Sequence, residues 1–159
     1  LQTFAHNDAG EPIPAELVAK MRAARDFGQG LFVNRQMFLA AVSLNFYNRD
    51  PAGFELEALY SDLAERYSLL PHVDGTHMYT GFGHLNGYSA YYYTYMWSLV
   101  IAKDLLTRFK KEGLMSPMAA KAYRTHILEP GGSKDAADMV KAFLGRPFNF
   151  NAYQQWLQK

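Results

Sequence analysis

Cysteine is absent from the 159 residues. That removes disulfide frameworks, thiol nucleophiles and cysteine-based zinc sites, and it suits cytosol and periplasm alike. A surplus of charge is missing too: 16 Lys and Arg face 15 Asp and Glu, for a net charge of +1. No basic stripe results, which argues against nucleic acid as the partner. No apolar run approaches the ~20 residues of a membrane span, and the longest cluster is broken by Lys103 and Asp104. Alternating runs long enough to build a sheet are lacking, and no internal repeat is visible. The chain opens on Leu1 rather than on a methionine, which predicts a piece of a longer polypeptide.

What is present is apolar and aromatic. Hydrophobic residues make up 49% and charged residues 19%, enough for a packed interior. Six of the 11 tyrosines, with Phe82 and Trp97, fall between Tyr79 and Trp97.

The helical period of the apolar residues predicts an all-α chain, read as one segment over 1–159 with an irregular leader at 1–12. Pro14 sits where a first-turn proline is tolerated, and Leu17, Val18, Met21 and Ala24 follow at helical spacing until Gly28 and Gly30 stop the helix. A second, central helix is expected from about Leu31 to Tyr47. Asp50-Pro51 is expected to cap a third that carries Phe54, Leu56, Leu59, Leu63 and Tyr67. Residues 68–87, rich in glycine and containing His72, His77 and His84, read as a structured loop with one short extended stretch. A long helix follows from about Tyr88 to Lys111, then one from Ser116-Pro117 to about Leu128. The next is capped by Ser133 and ends at Leu144, and the last spans Ala152 to Gln158.

No complete catalytic set is present. None of the five histidines belongs to an H-E-x-x-H pair. His72 and His77 read as loop hydrogen-bonding groups, and His126 with Glu129 as a surface contact. No serine occupies a G-x-S-x-G turn, and no glycine pair carries the lysine of a phosphate loop. The sequence does offer a row of hydroxyls. Positions 88, 92, 95 and 99 would share one face of the long helix, and three of them are tyrosines, while Tyr93, Met96, Trp97 and Val100 would lean to the core. A buried phenol needs a partner for its O–H, so a purely structural stripe is more often aliphatic. His84 just precedes this face. Phenols ordinarily titrate near ~10, so at neutral pH they donate, and a histidine and a tyrosine aimed at one point suit a developing oxyanion.

Phe82-Gly83-His84-Leu85-Asn86-Gly87-Tyr88-Ser89-Ala90, with Tyr92-Tyr93, Tyr95 and Met96-Trp97-Ser98, resembles the signature of the thimet oligopeptidase family. These are zinc metallopeptidases that include oligopeptidase A and bacterial dipeptidyl carboxypeptidases. Glu16-Leu17 through Gly30-Leu31-Phe32 and Asn34-Arg35-Gln36 upstream extend the resemblance, as do Pro130-Gly131-Gly132-Ser133 and Phe143-Leu144-Gly145-Arg146 downstream. It implies the C-terminal part of a two-lobed, helix-rich enzyme acting on short peptides, as metalloendopeptidase or dipeptidyl carboxypeptidase. It further implies a zinc held by two His of H-E-x-x-H and a later Glu, all ahead of Leu1, in the N-terminal remainder that would be this segment's partner. His84 and Tyr95 are then the catalytic, oxyanion-side residues, and Tyr88 and Tyr92 bind substrate. Two departures stand out: Gly87 alone precedes Tyr88, where thimet oligopeptidase has two glycines, and no residue separates Arg146 from Pro147. Without its zinc ligands the chain alone is expected to be catalytically silent. The rivals are a free-standing all-α module that binds a peptide or partner helix, and a homologue that has lost its zinc motif.

Overall fold

The computed structural model describes residues 1–158, the side chain of Asp26 apart. The described residues form an all-α structure, as expected, and their only β feature is an isolated bridge between His6 and Pro12 in the leader. The helices are α1 (Ala15–Asp26), α2 (Gln29–Tyr47), α3 (Leu56–Tyr67), α4 (His84–Gly87), α5 (Thr94–Glu112), α6 (Pro117–Tyr123), α7 (Ala136–Leu144) and α8 (Asn151–Leu157). No helix among them is long and apolar enough to cross a membrane.

Several boundaries follow local chemistry. Pro117 stands in the first turn of α6, and Ser116 caps it by accepting the Ala119 N–H. Gly145 ends α7 in a left-handed conformation at φ 73°, where a side chain would be strained. Lys110 and Lys111 lie in the last turn of α5, where cations suit the helix dipole.

Others differ from the sequence expectation. Gly28, at φ 74°, makes the break after α1, whereas Gly30 lies inside α2. Asp50 caps only a 3-10 turn at Pro51–Gly53, so α3 starts later, at Leu56. α7 is capped by Asp135, which accepts from Ala137 and Asp138 N–H groups, while the Ser133 hydroxyl turns back to the Pro130 carbonyl. The helix from Ser116 does reach Leu128, but its last stretch, Arg124–Leu128, is π-helical. Glu129 pairs there with Arg124 at 3.0 Å. The loop before α4 contains a 3-10 turn (Met78–Gly81) in place of an extended stretch. The expected helix from Tyr88 begins only at Thr94, after a 3-10 turn at Tyr91–Tyr93.

The main core lies between α2, α3 and the aromatic segment. Phe38, Leu39, Ala40 and Val42 pack with Tyr60, Leu63, Ala64 and Tyr92, and the Phe38 and Tyr60 rings meet edge-on at 5.4 Å. Burial of each large apolar side chain contributes about 1.5–3 kcal/mol. Around α5 a second packing centre joins Phe109, Tyr123 and Phe143, with centroids 5.5 to 5.9 Å apart. Val100 of α5 is buried as the helical pattern predicts, whereas Tyr93 and Trp97 are half exposed. α1 stands apart: its Leu17 and Met21 face solvent, and Phe27 beyond it is 90% exposed.

Candidate functional site

The site begins on α2. Gln36, Ser43 and Tyr47 recur at i, i+7 and i+11, so they share one face of that helix. Each holds a different point of the aromatic segment, which runs antiparallel to α2. Tyr47 donates its O–H to the Leu85 carbonyl, Ser43 Oγ donates to the Ser89 carbonyl at 2.6 Å, and Gln36 Oε1 accepts the Tyr92 O–H at 3.0 Å. Ser43 is fully buried. A serine between Val42 and Leu44 in a central helix is a polar group in need of a partner.

These contacts, and not one continuous helix, bring the candidate residues together. His84 opens α4, and after it the chain passes through Ser89, whose φ of 48° is uncommon for a residue with a side chain. After the turn at Tyr91–Tyr93, Tyr95 falls in the first turn of α5. His84 Nε2 lies 2.9 Å from the Tyr95 hydroxyl. The imidazole is the hub of four rings, with centroids 5.0 Å from Tyr92, 5.4 Å from Tyr88 and 5.6 Å from both Tyr95 and Phe82.

The three tyrosines differ in depth. Tyr88 and Tyr95 are 63% and 52% exposed, so their hydroxyls reach the open face. Tyr92 is 9% exposed and lies beneath them with its O–H committed to Gln36. Burial pushes the Tyr92 phenol upward, with Tyr95 adding to the effect and the bond to Gln36 opposing it. It is therefore a neutral donor throughout the physiological range.

A second titratable cluster borders the site. The Glu57 carboxylate of α3 meets His72 Nε2 at 2.9 Å, His77 Nδ1 at 2.9 Å and the donating Tyr79 O–H at 2.9 Å. His72 and His77 are thus the loop hydrogen-bonding groups expected of them, but no spacing in the sequence points to Glu57 as their common partner. Hydrogen bonds from His77, His72 and Tyr79, in that order, hold the Glu57 carboxyl down at about 2. The same contact pushes the Tyr79 phenol up.

The fit of these residues to zinc is poor. Among the described residues no group of three His, Asp or Glu side chains could hold a metal ion. In the Glu57 cluster the carboxylate oxygens and the imidazole nitrogens face one another, leaving no shared point for a cation between them.

The model of Peptidase family M3 matches residues 1–158, and the chain belongs to that family. Relatives include oligopeptidase A of Escherichia coli, 30% identical over 145 residues, which cover 89% of this chain and 21% of that protein. The thimet-like oligopeptidase of Dictyostelium discoideum is 32% identical over 150 residues, 93% of this chain and 22% of that protein. A mitochondrial intermediate peptidase of Arabidopsis thaliana is 29% identical over 148 residues, 92% of this chain and 21% of that protein. The chain spans about a fifth of the length of the curated relatives it matches.

Proposed function

We propose that this chain forms the substrate-facing wall of an oligopeptidase active centre. The observation that carries the proposal is the 2.9 Å pairing of His84 with a half-exposed Tyr95 on an open face. Before substrate arrives, the imidazole and the phenol hold each other. A scissile carbonyl replaces that contact, and both the N–H and the O–H turn to its oxygen as it gains charge. Such donors favour the transition state over the ground state, so they act on kcat. Tyr88 grips the peptide backbone with its exposed hydroxyl. Tyr92 backs the same wall with its ring, from a buried position set by its bond to Gln36.

Zinc enters through the family alone. Its ligands belong to sequence outside these residues, because H-E-x-x-H does not occur in them and no described cluster fits a metal. The exposed apolar residues of α1, and Met115 and Met118 near α6, are the faces that seat the remainder of the polypeptide. Family membership and 89% to 93% coverage of the chain by named peptidases support this reading over a free-standing binding module.

Tyr95→Phe in the full-length protein tests it, with a quenched-fluorescence oligopeptide as substrate. Loss of one oxyanion donor costs about 10²–10³ in kcat with little change in KM. Turnover within a factor of about two of the parent removes Tyr95 from the role.

A further inference from the structure

We propose that Glu57 is the positioning residue for His84, acting through the loop that precedes it; this rests on the active-wall reading above. Three loop side chains converge on the one carboxylate: His72, His77 and Tyr79. From His77 onward the backbone is wound without a gap into the turn that bears His84. Thr80 N–H and Oγ1 both donate to the His77 carbonyl, at 3.0 and 2.7 Å. Phe82 N–H then donates to Tyr79, Gly83 to Gly81, Leu85 to Phe82 and Asn86 to Gly83.

Rings reinforce the same unit. Tyr79 packs on Phe46 at 5.8 Å and on Tyr60 at 5.4 Å, while Phe82 packs on both Tyr92 and His84. The unit also has soft points. A Cβ placed on Gly81, Gly83 or Gly87 would meet nothing within 4 Å, so packing does not hold these residues. At the glycines backbone hydrogen bonds alone hold the chain, so the orientation of His84, set locally by Tyr95 and its ring neighbours, depends also on how firmly each end of the unit is fixed. The Tyr47 contact to Leu85 fixes the far end. Glu57 fixes the near end, on a different helix, without touching substrate or His84 itself.

The carboxylate suits this work because it accepts from all three donors at once. A glutamine keeps one acceptor oxygen and places an N–H₂ against an imidazole. Glu57→Gln in the full-length protein is therefore expected to lower kcat about ten- to a hundredfold through misplacement of His84, with KM nearly unchanged. Glu57→Asp keeps the charge at shorter reach and is expected to recover part of that loss. The urea midpoint should fall only modestly, since the Glu57 side chain is 42% exposed although that of His72 is buried, and the kinetics are read where both proteins remain folded.

Two readouts accompany the kinetics: the ring signals of His84 after selective histidine ¹⁵N labelling, and amide exchange over residues 79–86. In Glu57→Gln the His84 signals should shift and the exchange quicken. Unmoved His84 signals and unchanged exchange overturn the proposal, whatever happens to turnover. Parent-like turnover in Glu57→Gln, beside inactive His84→Ala and Tyr95→Phe, also overturns it while leaving the wall intact. If instead His84→Ala and Tyr95→Phe are fully active, the wall reading fails, and the labelling and exchange results decide the anchoring by themselves.

Discussion

Asp104 and Glu57 are two carboxylates that each collect three donors, at opposite depths and with different chemistry. Asp104 on α5 is 1% exposed and receives two guanidinium N–H groups of Arg146, at 2.6 and 2.8 Å, and the Asn149 backbone N–H at 2.9 Å. Glu57 keeps 42% of its side chain exposed and receives two imidazoles and a phenol. At Asp104 burial opposes ionisation, and the Arg146 guanidinium with the Asn149 N–H outweighs it, so the carboxyl stays below the usual range. Arg146 never loses its proton under ordinary conditions, so this lock is permanent. At Glu57 no guanidinium is needed, because water reaches the half-exposed carboxylate and screens its charge. A buried carboxylate thus fastens the C-terminal segment to α5, whereas the exposed one holds the loop that leads to His84.

Breaking the deeper member should have the larger effect. Arg146→Met leaves Asp104 buried and unpaired and is expected to cost about 3 kcal/mol of folding stability, read from urea melts. A midpoint equal to the parent's would show that Asp104 reaches water. An intermediate effect should come from Ser43→Ala, which removes the bond to the Ser89 carbonyl at about 1 kcal/mol. Faster amide exchange confined to residues 88–92 would accompany it, and uniform change across the chain would contradict a local role. The smallest effect concerns acid. The Glu57 carboxyl lies at about 2 in the folded chain against an ordinary 4.5. Its contribution is therefore whole above about pH 4.5, shrinks as pH falls, and is gone below about 2. A carboxyl ¹³C titration of Glu57 with a midpoint near 4.5 would show that the loop donors are not engaged.

The same contrast explains what the sequence discloses. Helix caps at Ser116 and Gly145 depend on neighbours a few residues away and are legible in the chain. Asp135 and Ser133 compete for one helix start, and the choice depends on a two-residue shift that periodicity does not resolve. The row of tyrosines is legible as a cluster, but its geometry is not. The segment ahead of α5 is held at Leu85, Ser89 and Tyr92 by Tyr47, Ser43 and Gln36, between 38 and 56 residues away in the chain. Glu57 is hidden for the same reason, 15 to 22 residues from the groups it holds. Arg146, where the chain departs from the family by running straight into Pro147, proves to be the partner of Asp104, the most deeply buried acid among the described residues.

Ser89 carries no chemistry, yet its left-handed backbone lies midway along the aromatic segment, where its carbonyl accepts from Ser43 of α2. A library over residues 88–95, built to test the proposed wall, therefore has a fixed point. Glycine and asparagine fit there, while valine, isoleucine or threonine would unseat the neighbouring rings without touching a ligand. Selectivity in such a library is bounded by a main-chain angle before it is bounded by any side chain.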